Sequence, residues 1–282
     1  MDDRILFQKQ WYLKSPDLPS PNDGLRGLAG ASARARLFPQ SPNDIIGRYR
    51  AYIILTYIDV AVAHAALPAY LQLAPPPGTP PGKHPAMYSF GTHEHVHPRF
   101  FTLWDYSYDE ALVGLPNVLL RQANGSTTGP FFHMTAVRLD NLFADEIGVA
   151  MGFPKKMAKF QVTNNSYSFR MGGGPIMTGQ FQLSGGVFDS SFPNFQVIEK
   201  FMLQQPVITQ SPLGNLLQVP FHIFTDTAVM QPATAAIEIA DMSLPGLPAG
   251  KYNFQGIDVA PIPSCYHSIH DWQMSPPQSI HQ

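Results

Sequence analysis

Charge is scarce in this sequence: Asp, Glu, Lys and Arg make up only 13% of its 282 residues, and the formal net charge is −2. The clustered Lys and Arg of a nucleic-acid surface are missing, so no nucleic-acid partner is expected. Cysteine is reduced to Cys265, which excludes an internal disulfide. No apolar run approaches the ~18 residues of a membrane-spanning helix, so no membrane partner is expected either. The start, Met1-Asp2-Asp3-Arg4, carries two acids, and no apolar run of signal-peptide length follows it. A cytoplasmic location is therefore expected, and the Asn-x-Ser sequons at Asn124 and Asn164 read as chance matches. Hydrophobic residues, at 44%, suffice for a sizeable core.

Sustained helical periodicity is also missing. Residues 1–44, rich in Pro, Ser, Gly and Arg, read as an extended N-terminal arm. Arg50 to Asp59 is crowded with β-branched and aromatic residues and reads as a strand. A short alanine-rich helix is expected from Val60 until Leu67-Pro68 stops it. Pro75 to Gly82 reads as a loop. Beyond Met87, short apolar runs alternate with Gly, Pro and Asn, which predicts strands over 87–92, 99–106, 116–122, 131–139, 146–151, 159–163, 176–184, 217–224 and 234–240. Residues 194–203 suit a short helix or another strand, and 266–282 read as a surface tail. The expected fold is mainly β, an antiparallel barrel or sandwich over residues 45–265.

Lysine is rare too, yet three of the eight, Lys155, Lys156 and Lys159, fall within five residues. Ile147-Gly-Val-Ala-Met-Gly-Phe153 precedes them, so this is not a solvated charge run. Apolar surroundings and a second cation both disfavour an ammonium, and an amine kept partly neutral attacks ketones. The plain alternative is a basic turn after a strand.

Phe153-Pro154-Lys155-Lys156-Met157-Ala158 resembles the aromatic-Pro-Lys-Lys-Leu signature of the acetoacetate decarboxylase family, whose founding enzyme is itself the standing example of an activated lysine. Phe132-His133-Met134 and Leu139-Asp140-Asn141 are similar to the segment that leads to that family's lysine. Tyr108-Asp109-Glu110 resembles its Tyr-x-Glu segment, and Arg50-Ala-Tyr-Ile-Ile its Arg-x-Tyr-Phe strand. The resemblance implies an antiparallel β-barrel or cone with a few peripheral helices, acting without a cofactor and commonly as a homo-oligomer. It also implies roles: Lys155 as Schiff-base nucleophile, Lys156 as its cationic neighbour, Glu110 as acid/base group, and Arg50 as the binder of a substrate carboxylate or the group that orients Glu110. The implied reaction is decarboxylation of a small β-keto acid. Aldol, dehydration or cyclisation of a larger keto compound through the same imine is the alternative.

Thr92-His93-Glu94-His95-Val96-His97 competes with that reading. On a strand, His93, His95 and His97 would share one face and could hold a metal. Pro98 follows at once, which favours a polar loop or rim. Met171-Gly-Gly-Gly-Pro175 lacks the lysine of a phosphate loop, and there is no Gly-x-Ser-x-Gly elbow.

Overall fold

The computed structural model of the chain describes residues 41–172, 174–189, 205–240, 247–256 and 262–280. Nearly all of the expected arm and the expected element at 194–203 lie outside these residues. The first half contains β1 (Ile45–Asp59), α1 (Val60–Ala65), β2 (Leu71–Leu73), β3 (Lys83–Pro98), β4 (Tyr106–Arg121), β5 (Thr127–Leu139), α2 (Leu142–Ala150) and β6 (Lys155–Met157). It is followed by β7 (Lys159–Val162), β8 (Ser166–Met171), β9 (Gly174–Leu183), β10 (Phe188–Asp189), β11 (Val207–Gln210) and β12 (Leu216–Val219). The last strands are β13 (Phe221–Ile239), β14 (Gly250–Gln255), β15 (Ser264–Met274) and β16 (Gln278–Ser279).

All sixteen strands of the described residues belong to one mainly antiparallel sheet whose main path runs β16-β12-β11-β5-β4-β3-β1-β15-β13-β9-β8-β7. The mainly β fold class read from the sequence is therefore the one observed. β1 is buried on both faces, which explains its unbroken apolar run. Tyr49, Ala51, Ile53 and Leu55 enter one core cluster, while Tyr52, Ile54 and Ile58 enter a second on the opposite face. Successive side chains along a strand point to opposite faces, so a residue's parity decides which core it serves.

Two expectations are corrected. Residues 146–151 were predicted as a strand, but they belong to α2, apart from its C-terminal cap Met151. The Asn141 side chain accepts a hydrogen bond from the Ala144 backbone N–H at 3.0 Å, an N-cap stabilising by about 1 kcal/mol. Ala144 and Gly148, four apart, are the buried face. The second correction concerns 266–282. Instead of forming a surface tail, residues 264–274 make β15, paired with both β1 and β13. Several of its polar residues find internal partners: Gln273 Nε2 donates to Asp44 Oδ2 at 2.7 Å, and Ser268 Oγ lies 3.0 Å from His270 Nδ1.

The unit that places the lysine is β5–α2–β6. β6 runs parallel to β5, with Val137 opposite Lys155. The return from α2 passes through Gly152 at φ +83°, a conformation that favours glycine. A Cβ there would lie 2.4 Å from the Gln210 carbonyl oxygen. Among the described residues no helix is long and apolar enough to cross a membrane.

Candidate active site

A cavity of about 120 Å³ sits within the core cluster on the Tyr49 face. β4 supplies Tyr106, Tyr108, Glu110 and Leu112 from one parity, β3 supplies Ser89 and His93, and β15 supplies His270 and Trp272. Lys155 enters from β6, and Ala144, Ile147 and Gly148 of α2 cover it.

Lys155 and Glu110 meet here. Nζ lies 3.8 Å from Glu110 Oε2, and the two side chains are only 11% and 7% exposed. Nζ also donates to the Ala144 carbonyl at 3.3 Å and stands 5.4 Å from the Tyr108 ring centroid, within reach of a cation–π attraction. Gly148 makes room for the lysine stem: a Cβ there would fall 2.2 Å from Lys155 Cδ and 2.4 Å from Cε.

Burial pushes the Lys155 amine below the ordinary lysine range, against opposing attraction from Glu110 and Asp145. Two charges about 4 Å apart in a medium of effective dielectric ~20 attract by roughly 4 kcal/mol. Effective desolvation costs several kcal/mol per ion, and the downward direction shows desolvation prevailing. Lys156 plays no part in this shift. Its side chain leaves the other face of β6 and is exposed.

Burial alone would raise Glu110, but attraction and a hydrogen bond from His93, helped by Lys155, outweigh it and hold the carboxyl below its usual range. His93 Nε2 is 3.2 Å from Glu110 Oε1. The imidazole is sandwiched between the Tyr49 ring at 4.1 Å and the Tyr108 ring at 4.7 Å, with Trp272 edge-on at 5.3 Å. The register produces this stack, since Tyr49 and Tyr108 are the cross-strand partners of His93. Burial raises the Tyr49 and Tyr108 phenols, and Glu110 raises them further. It also lowers His270 to about 3. All three shifts favour the neutral form, and the ionisable groups within 4 Å of one another in the cavity are Lys155, Glu110 and His93.

Arg50 is not part of this line. Its parity on β1 directs it to the opposite face, where it pairs with Glu94 and influences Asp109, Tyr167 and His267. Asp109 on that side is pushed up to about 6, chiefly by burial. His93, and not Arg50, is the side chain in contact with Glu110, and Arg50 does not line the cavity. The histidine segment is likewise corrected. It ends a sixteen-residue strand and is no loop, and a bulge between His93 and Val96, with His95 at φ +53°, breaks the alternation. His93 is buried, His95 bonds Asp105 in solvent, and His97 turns to the Pro98 carbonyl. No group of three or more His, Cys, Asp or Glu side chains among the described residues is placed to hold a metal.

No protein-family model and no curated protein matches the chain. Solved structures do. The enduracididine biosynthesis enzyme MppR, complexed with pyruvate, matches at TM-score 0.57 and 12% identity, covering 86% of this chain and 93% of that one. A second MppR structure holds the condensation product of pyruvate and imidazole 4-carboxaldehyde. It matches at TM-score 0.55 and 12% identity, covering 85% and 90%. An acetoacetate decarboxylase-like enzyme from Sphingomonas wittichii RW1 matches at 0.56 and 11%, covering 86% and 94%. Acetoacetate decarboxylase from Legionella pneumophila matches at 0.55 and 16%, covering 95% and 98%. The fold of this chain is that of acetoacetate decarboxylase and the acetoacetate decarboxylase-like enzymes.

Proposed function

We propose that the protein is a cofactor-independent enzyme that binds a keto acid as a Schiff base on Lys155 and decarboxylates it. The observation that carries this reading is a buried amine 3.8 Å from a buried carboxylate in a largely apolar cavity. Neutral Nζ adds to the ketone carbon, and uptake of one proton with loss of water leaves an iminium. The bond to the carboxylate carbon then breaks, and its electron pair forms the enamine as nitrogen becomes neutral. Protonation at carbon restores an iminium, and water releases the ketone, the neutral lysine and one proton. The net reaction takes up one proton and releases one carbon dioxide.

Glu110 is the acid/base group beside Nζ, and as an anion it disfavours a second carboxylate in the same dry space. His93 fixes its orientation. The α2 surface over Lys155 keeps the amine dehydrated.

The reaction is tested with a β-keto acid: carbon dioxide and the shortened ketone should appear in equal amounts. A changed carbon skeleton without carbon dioxide would reject decarboxylation. It would turn the same imine to condensation, the type of product held in the MppR structure.

The pH dependence has a definite sign. Because burial lowers Lys155, the rate of imine formation should rise with pH and level off below ~10.4, the midpoint of an ordinary lysine. Glu110→Gln removes a charge that raises Lys155. That variant should therefore move the midpoint further down while turnover falls by about 100-fold. A midpoint at the ordinary lysine value, or one moved upward by Glu110→Gln, contradicts this assignment.

A further inference from the structure

Resting on the Lys155 imine reading, we propose that the substrate is a keto acid with an extended aromatic or conjugated tail, held on a track of rings that leads out of the cavity. The track starts at the nucleophile. Lys155 Nζ stands 5.4 Å from the Tyr108 ring, and Tyr108 stacks on Tyr106 at 6.0 Å. Tyr106 lies edge-on to Phe143 at 5.4 Å, Phe143 to Trp104 at 5.7 Å, and Trp104 to Phe101 at 5.1 Å. Every step is within the 4.5–7 Å range of attractive aromatic contact.

Local structure brings the rings together. Tyr106 and Tyr108 share one parity of β4, Trp104 ends the short turn before that strand, and Phe143 lies in the first turn of α2. Tyr106 lines the cavity and touches the outer rings at once. Beyond it the rings open to solvent: Phe143 is 40% exposed, Phe101 44% and Trp104 55%. Scattered single apolar residues on a surface are ordinary, whereas a contiguous apolar patch marks a binding surface. This patch is continuous with the cavity that holds the amine. The cavity, at about 120 Å³, encloses the reacting end of a substrate. A larger substrate must extend outward, and flat apolar groups match the exposed rings that adjoin Tyr106.

The test compares acetoacetate with 3-oxo-5-phenylpentanoate on the full chain, reading kcat, KM and borohydride trapping at Lys155. The aryl acid should show a KM lower by about tenfold, the effect of one or two ring contacts. Trp104→Ala with Phe143→Ala should bring that preference close to one through KM, while Trp104→Phe, which keeps a ring, should retain it. Equal KM values for both acids with both trapped at Lys155, or a preference that survives the double variant, overturns the track and leaves the imine reading standing. If light scattering shows the double variant changing its oligomeric state while the aryl preference is kept, the rings serve contact between copies and the proposal is overturned. Trapping of neither acid at Lys155 removes the imine reading, and the track falls with it.

Discussion

Lys155→Ala should abolish turnover, with a loss of at least about 1,000-fold, and leave a folded protein. Covalent catalysis splits one difficult step into two easier ones, and no other group in the cavity replaces the nitrogen as an electron sink. His93 and His270 are the other nitrogen bases lining it. His93 is engaged with Glu110 at 3.2 Å and packed between two tyrosine rings, and His270 lies against Ser268. The substitution also removes a buried cation whose desolvation opposes folding, while Glu110 keeps its contact with His93. Thermal unfolding should therefore change little while activity disappears. Lys156→Ala should retain activity close to the parent, because that side chain faces solvent on the far side of β6. Equal losses from the two variants would contradict the assignment of Lys155.

Gly148→Ala should be the most damaging conservative change outside the charged line. Alanine is favoured over glycine inside a helix by about 1 kcal/mol, so propensity alone makes this substitution stabilising. The added Cβ, however, would stand 2.2 Å from Lys155 Cδ, 2.4 Å from Cε and 3.0 Å from Nζ. The stem of a lysine is flexible and moves aside more cheaply than a backbone. The consequence falls on the position of Nζ more than on the fold. Misplacing a reacting atom by about 1 Å can lower a rate roughly 100-fold, and a loss of that size in imine formation is expected with little change in melting temperature. In the Lys155→Ala background those three contacts are removed, and Gly148→Ala should raise stability by up to about 1 kcal/mol. A single variant with parental activity would show that Gly148 does not shape the lysine's position.

Many strands and the lysine segment leave local signals, β-branched runs and Pro-Lys-Lys after an apolar stretch, whereas Glu110 was singled out only by the resemblance of Tyr108-Asp109-Glu110 to a family segment. Arg50 could not be placed in the same way. Its segment matched the pattern, but which face of β1 it occupies depends on parity relative to a core that is assembled from β3, β4 and β15. The same limit applied to His93. It was visible as one of three spaced histidines, but the bulge that separates it from His95 is set by pairing with β4. Its contact with Glu110 arises because Gly91 lies opposite Glu110 and His93 opposite Tyr108. Helix α2 was read as a strand because Ile147-Gly-Val-Ala-Met is short and apolar. The cap at Asn141 was the signal that would have separated the two. β15 was missed because its His, Ser and Gln residues look like surface, while their partners lie on distant strands.

The most direct measurement is borohydride reduction of the protein in the presence of a keto acid, followed by mass mapping of the modified peptide. A single reduced adduct on Lys155 is expected, formed at neutral pH, lost in Lys155→Ala and absent from Lys156. Turnover of the keto acid with Lys155 left unmodified, or an adduct on a different lysine, would contradict it.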